Sequence, residues 1–232
     1  MSVYAVADLH GCLDLFKQIK DFLKPEDILY VLGDCGDRGP KGWELIKTVY
    51  EDPQCIYLKG NHEQMLVEAM QGNTYNCYQC GGKKTFKQWV REGAKSEWKH
   101  NLDTLPFYKE YTNKDGLKII LTHAGFTPYE KHHIKEDELL WDRNHYYESW
   151  EDDCDENVII VHGHTPIPLM KRDLGFQNFD TLGACWYCFD RDNQPHKCNI
   201  DTGAHWLGYT VLLDLDTFDE HLFFSEDFKD DN

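Results

Sequence analysis

Residues 28–39, ILYVLGDCGDRG, pass from five consecutive apolar residues straight into two aspartates, an arginine and three glycines. Ile28–Leu32 has the length and composition of a buried strand. Gly33, Gly36 and Gly39 permit a tight turn after it. Asp34, Asp37 and Arg38 therefore stand where a buried strand ends, and charge is costly there unless it is paired or coordinates a ligand. Pro40 is suited to open a helix, and GWELIKTVY (42–50) continues with helical spacing. The segment reads as strand, charged turn, helix.

The same unit recurs on both sides. Val3–Ala7 is a short apolar run ending at Asp8, and CLDLFKQIKDFL (12–23) sets Leu13, Phe16, Ile19, Phe22 and Leu23 at helical intervals. CIYLKGNHEQMLVEAM (55–70) is a third copy. Strands alternating with helices at this interval predict βαβ units and a largely parallel sheet. Residues 73–116 are less regular, with a helix expected over FKQWVREGAKSEWKHNL (86–102), and read as a helical cap or insertion. LKIILTH (117–123) and NVIIVHGH (157–164) are two further strands, separated by a loop with short helices that includes ELLWDRNHYYESWEDD (138–153). From Lys197 the pattern predicts an antiparallel meander or hairpin, and SEDFKDDN (225–232) a frayed acidic tail. With no linker or internal repeat beyond the βα alternation, residues 1–232 are expected to form one domain.

Composition narrows the function classes. The chain has 232 residues, 41% of them hydrophobic, which is the make-up of a folded globular protein. Its 41 acidic and 24 basic residues give a formal charge of −17. Such a surface disfavours general nucleic-acid binding and adhesion to an anionic membrane, while leaving room for a small positive pocket that takes a phosphate. The first residues show no basic leader, and no 18 apolar residues follow one another, so a soluble, cytoplasmic protein is expected. Nine cysteines in a chain of this length do not resemble a secreted disulfide scaffold.

Every expected strand ends in a metal-type ligand or a charged group. Asp8 and His10 follow the first, Asp34 the second, Asn61 and His62 the third, His123 the fourth, His162 and His164 the fifth. In open α/β sheets ligands bind beyond the carboxyl ends of the strands, so these five ends converge on one crevice. Carboxylate, imidazole and amide oxygen together suit manganese, iron(II) or zinc. One aspartate can bridge two such ions, and a two-metal site favours in-line displacement at phosphorus.

ADLHG (7–11), GDCGDRG (33–39), GNHEQM (60–65), THAG (122–125), HGHTP (162–166) and NIDTG (199–203) resemble, in order, the signature of the phosphoprotein phosphatase family of metallophosphoesterases. Within it the chain is most similar to the bacteriophage lambda type and its bacterial relatives. The motifs span nearly the whole chain; Ala7 stands where the family usually has glycine and touches no ligand. The resemblance implies an α/β fold of calcineurin-like type, a four-layer αββα sandwich of mixed sheets flanked by helices. It implies two divalent ions, expected to be Mn2+ with Fe2+ or Zn2+ as alternatives, one held by Asp8, His10 and Asp34 and the other by Asp34, Asn61, His123 and His164. His164, directly before Thr165, matches the family ligand, which leaves His162 a supporting residue.

On the same resemblance Arg38 and Arg143 clamp the phosphate oxygens, and His62, oriented by Asp37, is the general acid that protonates the leaving oxygen. A metal-bridging hydroxide then attacks directly, without a phosphoenzyme. Asp201 and His205 lie at the mouth of the crevice with no assigned role. The implied activity is hydrolysis of phosphate monoesters, with phosphoserine, phosphothreonine or phosphotyrosine proteins as substrates. Symmetrical diadenosine tetraphosphate, or another nucleotide, is the alternative; a non-catalytic, metal-stabilised interaction module is the rival from another class, disfavoured because every expected catalytic position is present. Cys77–Cys80 and Cys185–Cys188, with Cys198, invite a structural zinc, but the pairs lie far apart in sequence and free thiols are the preferred reading. His132 and His133 are read as a solvated face, and the tryptophans and tyrosines of 141–150 as either groove or core.

Overall fold

The apolar runs become strands β1 (Val3–Val6), β2 (Ile28–Val31) and β3 (Cys55–Tyr57), with helices α1 (Leu13–Phe22), α2 (Gly42–Glu51) and α3 (Asn61–Met70) after them. The computed structural model describes residues 1–126, 135–143, 157–173, 185–189 and 195–226. Three helices follow, α4 (Tyr75–Gln79), α5 (Lys83–Arg91) and α6 (Glu97–Asp103), then strands β4 (Tyr108–Thr112) and β5 (Lys118–Thr122). Beyond them lie α7 (Glu136–Trp141), β6 (Val158–His162), α8 (Ile167–Asp173), β7 (Trp186–Phe189), β8 (Pro195–Asn199), α9 (Ala204–Leu207), β9 (Tyr209–Asp214) and β10 (Glu220–Phe224).

These strands form two five-stranded sheets, ordered β10-β9-β1-β2-β3 and β4-β5-β6-β8-β7. The βα crossovers make β1, β2 and β3 parallel, with Val3 opposite Ile28 and Val6 opposite Val31. β5, β6 and β8 are likewise parallel, whereas β9, β10, β4 and β7 pair antiparallel. The sheets are therefore mixed rather than largely parallel.

Alternation along the strands builds the layers. Val3, Ala5, Tyr30 and Leu32 face Ile119, Leu121, Ile159 and Val161 between the sheets. Tyr4, Val6, Leu29 and Val31 face outward against Leu15, Phe16, Trp43, Ile46 and Leu66 of the helices. On the far side Ile120 and Ile160 pack with Phe126 and Leu139. The result is the expected αββα sandwich.

Two expectations are corrected, and one pair of alternatives is decided. The helix read over 86–102 is broken because Gly93 and Ala94 both adopt left-handed backbone (φ 95° and 49°), which ends α5 and lets α6 restart at Glu97. Of the meander or hairpin expected from Lys197, the structure forms the hairpin, β9–β10, because β8 pairs with β6 in the other sheet. Pro40 sits in the turn, and α2 begins at Gly42. Residues 73–116 hold the three helices α4–α6 and the edge strand β4. His132, His133, Cys154 and residues 144–150 lie outside the described residues. Among the described residues no helix is long and apolar enough to cross a membrane.

Asp216, just past β9, ties the sheets together: it accepts the Tyr111 hydroxyl of β4 at 2.7 Å and contacts Lys114 Nζ at 2.6 Å. Burial alone would raise its pKa, but the bonds from Lys114 and Tyr111 hold it below the ordinary carboxylate value. A depressed pKa means the contribution is present above the unfolded value, near pH 4, and is lost as pH falls through the folded one. Asp216→Asn should cost about 1 kcal/mol at neutral pH, and urea unfolding should show the variant and parent curves converging in acid.

Candidate active site

The turns after β1 and β2 are zipped together by their backbones. His10 N donates to Asp34 O (2.9 Å), Gly11 N to Cys35 O (2.8 Å) and Gly39 N to His10 O (3.0 Å). Gly33 (φ 90°) lies so near the next turn that a Cβ there would stand 2.6 Å from Gly60 Cα. Among the described residues eight non-glycines have positive φ, and six of them are Asp8, His10, Asp34, Asp37, Arg38 and His164. Left-handed backbone is costly for such residues and persists where the surroundings over-determine it; here it aims side chains into one crevice. The second sheet joins through Asp8, whose Oδ2 accepts the His164 N–H at 2.9 Å.

Asp34 is the centre. Its Oδ2 lies 3.6 Å from His10 Nε2 and 3.7 Å from His62 Nε2, while Oδ1 lies 3.5 Å from His123 Nε2. His10 Nδ1 is bonded to Gly36 O (2.9 Å) and His123 Nδ1 to Leu32 O (2.7 Å), so both rings turn an Nε2 lone pair inward. Burial, then neighbouring positive groups, lower the pKa of His10, His123 and His164, which stay neutral. Burial would raise the pKa of Asp34, yet the facing imidazoles, among which His62 is the one that favours its protonated form, lower it.

A metal fits this arrangement. Asn61 Oδ1 stands 2.9 Å from His123 Nε2 and 3.2 Å from His164 Nδ1, and those two nitrogens are 3.2 Å apart. An amide oxygen and ring nitrogens at these spacings suit a cation held between them. Donors bound at about 2.1 Å in near-orthogonal directions lie about 3 Å from one another. Among the described residues, the donor groups within reach of an ion are His10, Asp34 and His62, and Asp34, His123 and His164. Asp34 belongs to both. Asp8 is outside these tight groups, with burial and the nearby Asp201 and Asp34 raising its pKa. His162 is outside them too; it is buried, its Nδ1 contacts Gly163 O at 3.1 Å, and burial lowers it to about 3.

The remaining expected residues surround the same space. His62 Nδ1 meets Asp37 Oδ2 at 2.7 Å. Burial opposes protonation of His62, but Asp34 and the Asp37 bond raise its pKa overall. Arg38 directs Nη1 at His10 Nε2 (2.8 Å) and Nη2 at His62 Nε2 (3.2 Å). Arg143 donates to Thr165 Oγ1 (3.2 Å) and, with Arg38, His164 and His205, lines a crevice of about 590 Å³. Its far wall is apolar: Pro166, Leu169 and Trp206. His205 stands 5.1 Å from the His10 ring and is lowered to about 4 by burial, then by Arg38. Buried Asp201 accepts the Gly203 N–H and is raised to about 7 by burial. The two C-x2-C stretches do not come together: Cys77 and Cys80 pack against the helices, whereas Cys185, hydrogen-bonded to Cys198, lies between the sheets.

Several supporting residues were not read from the sequence. Buried Glu63 accepts the backbone N–H groups of Asp34, Cys35 and Gly60 and the Tyr57 hydroxyl. Burial, then Asp34, raises it to about 7. Its signal was its place three residues after Gly60, the spacing of a carboxylate that caps its own helix. Thr85 Oγ1 receives the Asp37 N–H, and a Cβ on Gly82 would stand 2.7 Å from Asp37 Oδ2, so α5 begins directly against that carboxylate. No local pattern marks these contacts.

The sequence profile of the calcineurin-like phosphoesterases matches residues 1–195. The chain belongs to the calcineurin-like phosphoesterase family. Among curated relatives this phosphoesterase is 31% identical over 152 residues to serine/threonine-protein phosphatase 2 of Escherichia coli K12, covering 60% of this chain and 66% of that one. It is 26% identical over 132 residues to the symmetrical bis(5'-nucleosyl)-tetraphosphatase of Delftia acidovorans, covering 55% and 46%. The matches thus span less than two thirds of either relative. A solved metallophosphoesterase from Sphaerobacter thermophilus shares the fold, with a TM-score of 0.58 and 14% identity over 97% of this chain and 89% of that one.

Glu63→Gln would turn one of the accepting oxygens into a donor facing buried N–H groups. It should cost about 2 kcal/mol in urea unfolding and weaken metal binding by about tenfold in a titration, because Asp34 loses the support that positions it.

Proposed function

We propose that this phosphoesterase is a metal-dependent phosphatase that hydrolyses phosphate monoesters, with phosphoserine and phosphothreonine of proteins as its main substrate class and phosphotyrosine as a further one. The observation that carries the reading is the double engagement of Asp34, one oxygen toward His10 and the other toward His123, beneath the Arg38 fork. Asp8, His10 and Asp34 would hold one ion, and Asp34, Asn61, His123 and His164 the other, with Mn2+ suited to the mixed donor set and Fe2+ or Zn2+ as substitutes. Bound divalent ions supply a water made acidic near neutral pH and positive charge against the phosphate.

The chain's own residues do the rest. Arg38 and Arg143 present guanidinium forks to the phosphate oxygens and balance charge that grows in the transition state. His62 Nε2 is 3.2 Å from Arg38 Nη2, so a phosphate seated on Arg38 brings its ester oxygen within reach of that imidazole. Asp37 holds the other ring nitrogen and favours the protonated ring, from which Nε2 gives its proton to the departing alkoxide. The proton ends on the alcohol product.

A second reading has its own support. The crevice is much larger than a phosphate, and its apolar wall of Pro166, Leu169 and Trp206 suits a ring, so hydrolysis of symmetrical diadenosine tetraphosphate is the alternative. The Delftia relative is named a symmetrical bis(5'-nucleosyl)-tetraphosphatase.

Activity on a phosphopeptide should vanish with a chelator and return with Mn2+. His62→Asn should keep its bound metal yet lose turnover of an alkyl phosphate by about 100-fold or more; turnover equal to the parent's would remove His62 from the acid role. A side-by-side assay of phosphopeptide and dinucleotide separates the two substrate readings.

A further inference from the structure

We propose that α5 and Gly81 form a second anion-binding subsite beside the phosphate clamp, which receives an additional anionic group carried on the same substrate molecule. The proposal rests on the phosphoesterase reading of the crevice.

α5 reads KKTFKQWVR, with no acidic residue. Thr85 and Trp89 face inward, while Lys83, Lys84, Lys87 and Arg91 are exposed. None of these four makes an ion pair with a described residue. That sets them apart from Lys20, Lys47, Lys114 and Lys118, which are matched by Asp52, Glu92, Asp216 and Glu110. In a chain with 41 acidic and 24 basic residues, a whole helix face left without acids is a local reversal of charge.

Its place gives that reversal a use. The four cations, with Gln88 and Gly81, line an open concavity of about 490 Å³. Gly81 has φ 95°, and a Cβ there would stand 3.3 Å from Arg38 Cγ, so at Gly81 the wall of the groove packs directly against the stem of the residue whose fork faces His10 and His62. From Lys83 to Arg91 the helix rises about 12 Å. That length matches a short polyphosphate or a few extended acidic residues next to the scissile phosphate. Lysine ammonium groups act on such ligands as point charges and also steer their approach. A phosphoanhydride chain and an acidic flank on a phosphopeptide offer the same chemistry.

The test compares the full chain with its K84E/K87E variant in Mn2+ at low salt. The four substrates are p-nitrophenyl phosphate, a neutral phosphopeptide, the same peptide with a run of glutamates, and diadenosine tetraphosphate. The expected result is a fall of about tenfold in kcat/KM, carried by KM, for the acidic peptide or the dinucleotide, with the other two within about twofold. Whichever anionic substrate falls identifies the source of the charge. Parent selectivity for it should also shrink as salt is raised. Equal losses on all four substrates, or no loss on either anionic one, would overturn the subsite. Calorimetric binding of tripolyphosphate to parent and variant tests it without turnover: weaker binding by the variant supports it, and equal binding overturns it. A parent that binds tripolyphosphate but hydrolyses none of the four would overturn the phosphoesterase reading alone.

Discussion

Asp34 is a carboxylate almost wholly removed from water, and the molecule is organised around that fact. An isolated buried charge is prohibitively expensive, so it must be met by opposite charge or by hydrogen-bond donors. Its Oδ1 accepts the His62 backbone N–H at 3.0 Å. Four imidazoles surround it, yet three of them are kept neutral by their own burial. The unmatched negative charge beside inward-turned lone pairs explains why the site calls for cations. It also explains the rank of residues behind it, since Glu63 and the α3 terminus fix the turn on which Asp34 stands.

The sandwich supplies rigidity where the turns store strain. Left-handed residues gather on turns whose flanking strands are buried on both faces, by helices on one side and by the opposing sheet on the other. Closely packed interiors resist local relaxation, so the costly backbone of Asp34, Asp37 and Arg38 has nowhere easier to go. Cys35 and Gly36 find their purpose here: Cys35 is buried in the helical-side core, and the Gly36 carbonyl orients the His10 ring.

Much of this was legible in the sequence because chemistry follows strand ends. The five apolar runs were short and uniform, and each stopped at a polar residue, so strands, crossovers and crevice could be read together. The edge strands were not. β4 (Tyr108–Thr112) is half polar, its pattern set by an edge that meets water, and β7 coincides with the CWYC stretch that suggested a zinc site. Thr85 and Gly82 were invisible for a different reason: they touch Asp37 from more than forty residues away, and only tertiary packing brings them there. Glu63 was visible but unread, its capping position outweighed by the neighbouring Asn61 and His62.

The bond from the His164 N–H to Asp8 joins groups 156 residues apart. The first sheet's share of the donors lies within the first 62 residues, and His123 and His164 come from the second sheet. A chain emerging from the ribosome therefore carries Asp8 and Asp34 long before the imidazoles that complete their surroundings. Until the second sheet docks, the early half holds two carboxylates that favour water over a core. Closing the sandwich and completing the donor set are then one event, so an ion that prefers the finished set would stabilise the native state as a whole.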